Sequence, residues 1–262
     1  MVDLHAVKVY LFDMDGTLNM GETPIEGAMD TLRYLDSHGK KVYFATNNSS
    51  KSQTAYVEKL RRMGYEAKQE QIITSGMATM HFLKKHFPGR SVYILGTELL
   101  KREFSEGGFD VRGVGEDADI MLLAFDTELT YEKLWHATNL IAAGKPYIAT
   151  HPDFVCPSEK GDMPDAGALM ACVEATVGKR PETIVGKPYA PMADFVFDYC
   201  GAAPKECAFV GDRLYTDIKF GLNNGMASVL VMTGETTEET LRDFDVRPDY
   251  KLDSVNELKK YC

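Results

Sequence analysis

The stretch Tyr10-Leu11-Phe12-Asp13-Met14-Asp15-Gly16-Thr17 decides the fold of this chain. An apolar run ends at Phe12 and is followed directly by two aspartates, a glycine and a threonine. This pattern predicts a buried strand over residues 7–12 that leaves a sheet through a tight turn. Ligands of open parallel sheets bind outside the carboxyl ends of the strands. The loop after Phe12 is therefore the first candidate for a functional site.

Short apolar runs and helical patterns alternate along the rest of the chain. This alternation predicts an α/β protein with a doubly wound, mostly parallel, Rossmann-like sheet. The further elements predicted on either side of the middle of the chain are strands at 41–45, 183–185, 207–210 and 228–232, and helices at 24–37, 50–63, 191–200 and 215–224.

The middle of the chain carries its own strands and helices, interrupted by glycine-rich segments. Strands are predicted at 92–95, 120–125 and 147–150, and helices at 131–143 and 166–177. We expect residues 79–180 to form an inserted α/β cap domain, and residues 1–78 and 181–262 to form one core domain. Trp135, the single tryptophan, is expected to pack inside the cap.

Polar residues follow four of the predicted core strands: Thr46-Asn47, Lys187, Asp212 with Asp217, and the aspartates after Phe12. Carboxylates crowded at one sheet edge repel one another by about 4 kcal/mol per pair at 4 Å and an effective dielectric of about 20. Mg²⁺ removes that penalty and prefers oxygen ligands. A carboxylate can also attack phosphorus, and neighbouring donors can stabilise the phosphoryl oxygens.

The residues D-x-D-G-T, T-N-N, G-K-P and G-D-x-x-x-x-D, in that order, resemble the four motifs of the haloacid dehalogenase (HAD) superfamily. The insertion between the second and third motifs is similar to the C2 cap of the NagD-like subgroup, which includes p-nitrophenyl phosphatases. The resemblance covers nearly the whole chain, including Val92-Tyr93-Ile94-Leu95-Gly96 and Thr150-His151-Pro152-Asp153 in the cap.

This resemblance implies that Asp13 is the nucleophile and that Asp15 protonates the leaving oxygen and then activates water. It implies that Thr46 and Asn47 hold the phosphoryl group and that Lys187 neutralises it. Superfamily ATPases carry threonine two residues after the nucleophile, so an aspartate there favours a phosphatase.

The resemblance also implies a Mg²⁺ site. Its ligands would be Asp13, the backbone carbonyl of Asp15, Asp212 and, directly or through water, Asp217. Asp217 could instead only cap the helix that follows Asp212, and Thr46-Asn47 could be a helix N-cap, a role that is compatible with phosphate binding.

Three cap residues, His151, Asp153 and Asp165, are candidates for substrate contact. They lie in a polar stretch before the cap's last predicted helix. His151-Pro152-Asp153 is typical of a turn, because proline disfavours helix at the preceding residue.

The bulk composition limits the class of partner. A net charge of −10 makes nucleic acid a poor partner, since phosphate backbones need a basic face. No apolar run approaches the roughly 20 residues of a membrane span, and no secretory signal precedes the first strand. The five cysteines are scattered, with no C-x-x-C spacing, which favours reduced thiols in a cytoplasmic protein.

The sequence therefore predicts a Mg²⁺-dependent phosphatase that acts on a small phosphorylated metabolite through an aspartyl-phosphate. Sugar phosphates, nucleoside monophosphates and p-nitrophenyl phosphate are all open as substrates, and a homodimer is open as the oligomeric state. The alternatives are a phosphotransferase and a non-catalytic metabolite-binding regulatory module on the same fold.

Overall fold

The computed structural model describes residues 2–158 and 160–261. By their contacts these residues divide into two compact units. The first unit contains the chain up to Thr46, Gln53–Ile73 and the chain from Lys187 onward, and the second contains Asn47–Ser52 and Thr74–Gly186. The first unit is thus assembled from segments that precede and follow most of the second.

The strands are two to six residues long. In chain order they are β1 (Val9–Phe12), β2 (Asn19–Met20), β3 (Thr23–Pro24), β4 (Lys41–Thr46), β5 (Ile72–Thr74), β6 (Val92–Leu95), β7 (Val111–Arg112), β8 (Ile120–Leu123), β9 (Tyr147–Ala149), β10 (Val155–Cys156), β11 (Met163–Pro164), β12 (Thr183–Ile184), β13 (Cys207–Gly211), β14 (Ala227–Val231) and β15 (Tyr250–Leu252).

The α-helices separate most of these strands. They are α1 (Ala28–Ser37), α2 (Gln53–Arg62), α3 (Ser75–His86), α4 (Glu98–Glu106), α5 (Tyr131–Ala142), α6 (Ala166–Val177), α7 (Ala190–Cys200), α8 (Lys219–Asn223) and α9 (Glu238–Asp243).

The first unit is built on a six-stranded sheet in the order β15-β14-β13-β1-β4-β5. β1 pairs in parallel with β13 on one side and with β4 on the other, so that Val9 lies opposite both Cys207 and Lys41. The chain adds β4 and β5 on one side of β1 and later adds β13, β14 and β15 on the other. This reversal of strand order makes the carboxyl end of β1 a topological switch point, where doubly wound sheets bind ligands. The predicted α/β class is confirmed.

Burial explains why β1 takes the centre of the sheet. Its four residues, Val-Tyr-Leu-Phe, are all buried, as expected for a strand covered on both faces. Phe12 packs in one apolar cluster with Phe44 of β4 and with Leu32 and Leu35 of α1. The two helix positions are three residues apart and therefore share one face.

The second unit has a five-stranded sheet in the order β12-β9-β8-β6-β7, and its pairings are parallel. Its core combines Tyr93 and Leu95 of β6 with Ile141 of α5 and Val173 of α6. A short antiparallel hairpin, β10-β11, precedes α6.

The predicted start of the first helix is wrong. The helix begins at Ala28 rather than at Pro24, because Thr23–Pro24 pair with Asn19–Met20 as a small antiparallel hairpin. Gly27 then takes a φ of +75°, a left-handed conformation that cannot continue a right-handed helix backwards.

The structure also differs from the predicted helix at 215–224. Its first turn, Leu214–Ile218, is π-helical, and α8 begins only at Lys219. The amide of Ile218 donates to the carbonyl of Arg213 at 3.1 Å, which is the wider spacing of a π turn. Such turns occur frequently at functional sites, and this one carries Asp217.

Trp135 does not pack inside the second unit as predicted, because it is 61% exposed. The buried face of α5 is formed by Ala137, Leu140 and Ile141, and Trp135 lies off that stripe on the helix face that also exposes Tyr131. No helix among the described residues is long and apolar enough to cross a membrane. Of the cysteines, Cys156, Cys172, Cys200 and Cys207 are free thiols, and Cys262 lies outside the described residues.

Truncation of Phe44 to alanine should destabilise the first unit by about 3–5 kcal/mol, since a fully buried ring leaves both its transfer energy and a cavity behind. The measurement is chemical denaturation followed by circular dichroism. Met20→Ala is the matched control in the same unit, because Met20 is 58% exposed and should change stability by less than about 0.5 kcal/mol. Equal effects of the two substitutions would contradict the assignment of Phe44 to the core.

Candidate active site

Asp13 occupies the carboxyl end of the central strand. Its backbone amide donates to the carbonyl of Val210 at 2.9 Å, which extends the β1–β13 ladder by one residue. Its side chain is 17% exposed. The carboxylate is thus fixed by the sheet and remains accessible to a small molecule.

Three carboxylates meet at this point. Asp13, Asp212 and Asp217 each offer an oxygen, and these oxygens all lie within 4.8 Å of one another. Asp212 follows β13 directly, and both Asp212 and Asp217 are 1% exposed. An all-oxygen set of this charge suits a hard divalent cation better than a soft one.

The electrostatics of the cluster support the same conclusion. Burial raises the pKa of Asp212, and the charges of Asp217 and Asp13 raise it further. Burial also raises the pKa of Asp217, although Lys187 opposes this effect. The cluster therefore holds more negative charge than its surroundings neutralise, which is the condition that a bound cation relieves.

Lys187 is the ammonium within this cluster. It is 2% exposed, and its Nζ donates to Asp13 Oδ1 at 2.7 Å and to Asp217 Oδ1 at 2.8 Å. Burial alone would lower the pKa of Lys187, but the two carboxylates outweigh burial and raise it. Its Nζ also lies 4.8 Å from the centre of the Phe209 ring. Lys187 is therefore charged and held beside the candidate nucleophile.

Several groups that hold Asp212 were not predicted from the sequence. Thr17 Oγ1 donates to Asp212 Oδ1 at 3.0 Å, and the amide of Glu235 donates to Asp212 Oδ2 at 2.7 Å. A Cβ on Gly234 would lie 2.0 Å from Asp212 Oδ2, so only glycine fits in this loop. The segment after β14 could have been suspected because it is also the carboxyl end of a core strand.

Gly16 has a similar role on the other side. It has a φ of +89°, and a Cβ there would lie 2.4 Å from Asp212 Oδ2. The glycine of the D-x-D-G-T stretch thus allows both the turn after Asp15 and the close approach of Asp212.

Asp15 lies beside the cluster, with its side chain 54% exposed. Its Oδ1 accepts hydrogen bonds from Lys59 Nζ at 2.9 Å and from Asn19 Nδ2 at 2.5 Å. Lys59 was not singled out in the sequence, because a lysine in a helix is usually solvated.

Arg213 is a further cation that the sequence did not reveal. Burial lowers the pKa of Arg213, but neighbouring groups, among them the carboxylates of Asp13 and Asp217, raise it overall. Its Nε lies 2.9 Å from Glu235 Oε2, while its backbone amide donates to Asp217 Oδ2 at 3.1 Å. Arg213 precedes the π-helical turn, and its amide thus fixes Asp217, the second carboxylate of the G-D-x-x-x-x-D motif.

Thr46 and Asn47 are consecutive but belong to different units. Thr46 ends β4 in the first unit. Asn47, 7% exposed, belongs to the second unit, where its Nδ2 donates to Asp153 Oδ2 at 2.6 Å. Asp153 is 4% exposed, so this amide–carboxylate contact is buried.

The remaining candidates form a second buried group in the second unit. His151 is fully buried, with Nδ1 2.8 Å from Thr150 Oγ1 and Nε2 2.8 Å from Asp165 Oδ1. Asp165 is the N-cap of α6 and accepts from the amide of Ala166 at 2.6 Å. The structure thus brings Asp13, Lys187, Asp212 and Asp217 together in one unit, and it pairs His151 with Asp165, and Asn47 with Asp153, in the other.

Two family models match the chain. Residues 10–110 match the haloacid dehalogenase-like hydrolase model, and residues 184–258 match a HAD-hydrolase-like model. The first match contains Asp13, Asp15, Thr46 and Asn47, and the second contains Lys187, Asp212 and Asp217.

Relatives of similar length were found in sequence and in structure. A Staphylococcus aureus protein named acid sugar phosphatase is 37% identical over 250 residues, which cover 95% of this chain and 96% of the relative. The crystal structure of a 4-nitrophenylphosphatase from Thermotoga maritima superposes with a TM-score of 0.93 at 41% identity and covers 98% of each chain. NagD from Escherichia coli K-12 superposes with a TM-score of 0.88 at 27% identity, covering 96% of this chain and 98% of NagD.

The raised carboxyl pKa values predict a pH-dependent response to Mg²⁺. The folded, metal-free chain binds more protons than the unfolded chain between the ordinary carboxyl pKa and the raised values, so its stability falls as pH rises through that window. A cation competes with those protons. Saturating Mg²⁺ should therefore raise Tm by several degrees at about pH 8 and by clearly less at about pH 5.

Differential scanning fluorimetry of the purified chain with and without Mg²⁺ measures this effect. Asp212→Asn should remove most of the shift, while Asp243→Asn, a change at an exposed position of the same unit, should leave it intact. A shift of equal size at both pH values would show that these carboxylates do not bind the cation.

Proposed function

We propose that this chain, which belongs to the haloacid dehalogenase-like hydrolases and is a phosphatase, hydrolyses sugar phosphates through an aspartyl-phosphate on Asp13 with Mg²⁺ as its cofactor. The observation that carries the proposal is the position of Asp13, held 2.7 Å from Lys187 at the switch point of the sheet and inside a three-carboxylate cluster. The relative named acid sugar phosphatase supports the substrate class. Relatives named as phosphatases argue against both the phosphotransferase and the non-catalytic module.

In the proposed reaction Asp13 attacks phosphorus while Asp15 gives its proton to the leaving oxygen. Water then attacks the aspartyl-phosphate, and Asp15 takes a proton from that water. Lys187 and the side chains of Thr46 and Asn47 would neutralise and bind the phosphoryl oxygens. Because Lys187 already contacts Asp13 Oδ1, the ammonium stands beside the carboxylate that would carry the phosphoryl group.

The residues present fit a Mg²⁺ ion. Asp13, Asp212 and Asp217 would hold it, with the backbone carbonyl of Asp15 as a further ligand. When bound, Mg²⁺ would neutralise the carboxylates and the substrate phosphate, so that an anionic ester can enter. Asp217 also accepts from Lys187, and this contact supports a role in orienting the lysine besides a direct or water-mediated role at the metal.

The division into a catalytic domain, residues 1–78 and 181–262, and a C2 cap, residues 79–180, is part of the proposal. In this proposal the catalytic residues act on the phosphoryl group and the leaving oxygen, which are common to all candidate substrates. The leaving group must then be recognised elsewhere, and His151, Asp153 and Asp165 are the proposed contacts. Their hydrogen-bond partners include one another, Asn47, Thr150 and the amide of Ala166, so substrate contact would require some of these hydrogen bonds to be exchanged. Cytoplasmic location and a homodimer stay predictions.

Asp13→Asn should lower kcat by at least about 1,000-fold, or about 4 kcal/mol of barrier, because the neutral amide is a poor nucleophile. Hydrolysis of p-nitrophenyl phosphate with Mg²⁺ measures kcat, and the melting curve shows that the nearly isosteric variant folds. Asp243→Asn is the exposed control and should retain full activity. Near-normal turnover of Asp13→Asn would mean that another residue is the nucleophile.

Asp165→Ala should change relative kcat/KM across a panel of sugar phosphates by about 10-fold or more, the scale of one or two lost polar contacts. Activity on acetyl phosphate should stay within a few-fold, because that substrate has almost no leaving group to recognise. Asp162→Ala, an exposed change three residues earlier, is the matched control. Equal loss on every substrate, acetyl phosphate included, would place Asp165 in folding or catalysis instead of specificity.

A further inference from the structure

We propose that Lys59 is a positioning residue for Asp15: together with Asn19 it occupies Asp15 Oδ1 and thereby reserves Oδ2 for proton exchange with the leaving group and with water. This inference rests on the proposed function, because it assumes that Asp15 is the general acid and base of the phosphatase reaction.

The burial of Lys59 needs an explanation. Lys59 is 7% exposed and lies on the face of α2 that also buries Tyr56 and Leu60, where an amphipathic helix normally carries an apolar residue. The next cation on the helix, Arg61, is exposed. A buried ammonium is unfavourable unless it is paired. Within the described part of the chain, its hydrogen-bond partner is Asp15 Oδ1, at 2.9 Å.

Asn19 approaches the same oxygen from the other side. Its Nδ2 donates to Asp15 Oδ1 at 2.5 Å and to the carbonyl of Gly21 at 2.8 Å, so two acceptors fix the orientation of the amide. Asn19 is fully buried, and its backbone carbonyl accepts from the amide of Gly16 at 2.7 Å. One donor thus lies on a helix and the other in a tight hairpin.

The two oxygens of Asp15 therefore differ. Oδ1 accepts two hydrogen bonds, whereas Oδ2 accepts none from the described residues, and the side chain as a whole is 54% exposed. A carboxyl group held at one oxygen presents the other in a fixed direction, which is what a general acid needs.

The bond between phosphorus and the leaving oxygen breaks, its electron pair stays on that oxygen, and the proton on Asp15 Oδ2 moves to it as Asp13 bonds to phosphorus. Water then bonds to phosphorus, the bond from phosphorus to Asp13 breaks, and one proton of the water returns to Asp15 Oδ2. Lys59 takes part in neither transfer and only holds the carboxyl group.

This role predicts a dependence on the leaving group. p-Nitrophenolate departs readily without a proton, whereas phenolate, of nearly the same size, depends more on the acid. A loose Asp15 should therefore slow phenyl phosphate more than p-nitrophenyl phosphate. A purely structural defect would slow both alike, because the two esters share one phosphoryl group and one ring.

The experiment measures kcat/KM of the full chain with Mg²⁺ for both esters, because kcat/KM reports the steps up to release of the phenol. For Lys59→Met we expect a fall of about 30-fold on phenyl phosphate and of at most about 3-fold on p-nitrophenyl phosphate, within the range of general acid catalysis. Lys59→Arg, which keeps the donor, should restore most of the loss. Arg61→Met, which removes one exposed charge from the same helix, should match the wild type.

Equal losses on the two esters, or no loss on either, would overturn the proposal. Should Lys59→Met fail to show a cooperative melting transition, Lys59→Gln, which keeps a polar group in the site, is read by the same two-ester comparison. Asp15→Asn separates this failure from failure of the proposed function. If Asp15→Asn shows no preferential loss on phenyl phosphate, Asp15 is not the general acid; if it does and the Lys59 variants do not, only the positioning role is wrong.

Discussion

The excess of negative charge at the carboxyl end of β1 is the constraint on which the rest of the structure depends. Three carboxylates have oxygens within 4.8 Å of one another, and two of them are almost completely buried. Lys187 contacts Asp13 and Asp217 but makes no hydrogen bond to Asp212, whose partners are the hydroxyl of Thr17 and the amide of Glu235. Neutral donors stabilise a carboxylate without cancelling its charge. The charges at this site are therefore best balanced when a further positive charge is present.

The strand ends were predictable because a parallel sheet brings them together whatever the loops between them do. Asp13 and Asp212 directly follow neighbouring strands of the six-stranded sheet, and the structure places them in one cluster with Asp217 and Lys187. The prediction that residues 183–185 form a strand of this same sheet is wrong, because Thr183–Ile184 form β12, which pairs with β9 in the sheet of the second unit. The order of the motifs indicated a phosphatase of the haloacid dehalogenase superfamily, and the family models and relatives agree.

Other parts of the site could not be predicted, because they depend on which side chain of a helix or turn faces inward. A lysine in a helix is usually solvated, yet the ammonium of Lys59 donates a hydrogen bond to Asp15. Trp135 shows the opposite error: size and apolarity favoured burial, but α5 fills its buried face with smaller residues. Pro24 is typical of a first helical turn but instead pairs with Asn19 in a hairpin. Hydrophobic periodicity predicts which face of a helix or strand is buried only when the elements that pack against it are known.

The hydrogen bond between Thr17 and Asp212 joins residues 195 positions apart, and β1 is completed on one flank only by β13. During synthesis β1 therefore leaves the ribosome long before β13 exists. Contacts of such long range are slow to form, and an unpaired central strand is a surface that other chains can bind. Until β13 is made, the amino-terminal segment carries β1 with one flank open and Asp13 without its partners. The carboxylate cluster is thus assembled late in the synthesis of each molecule, when β13 joins the sheet.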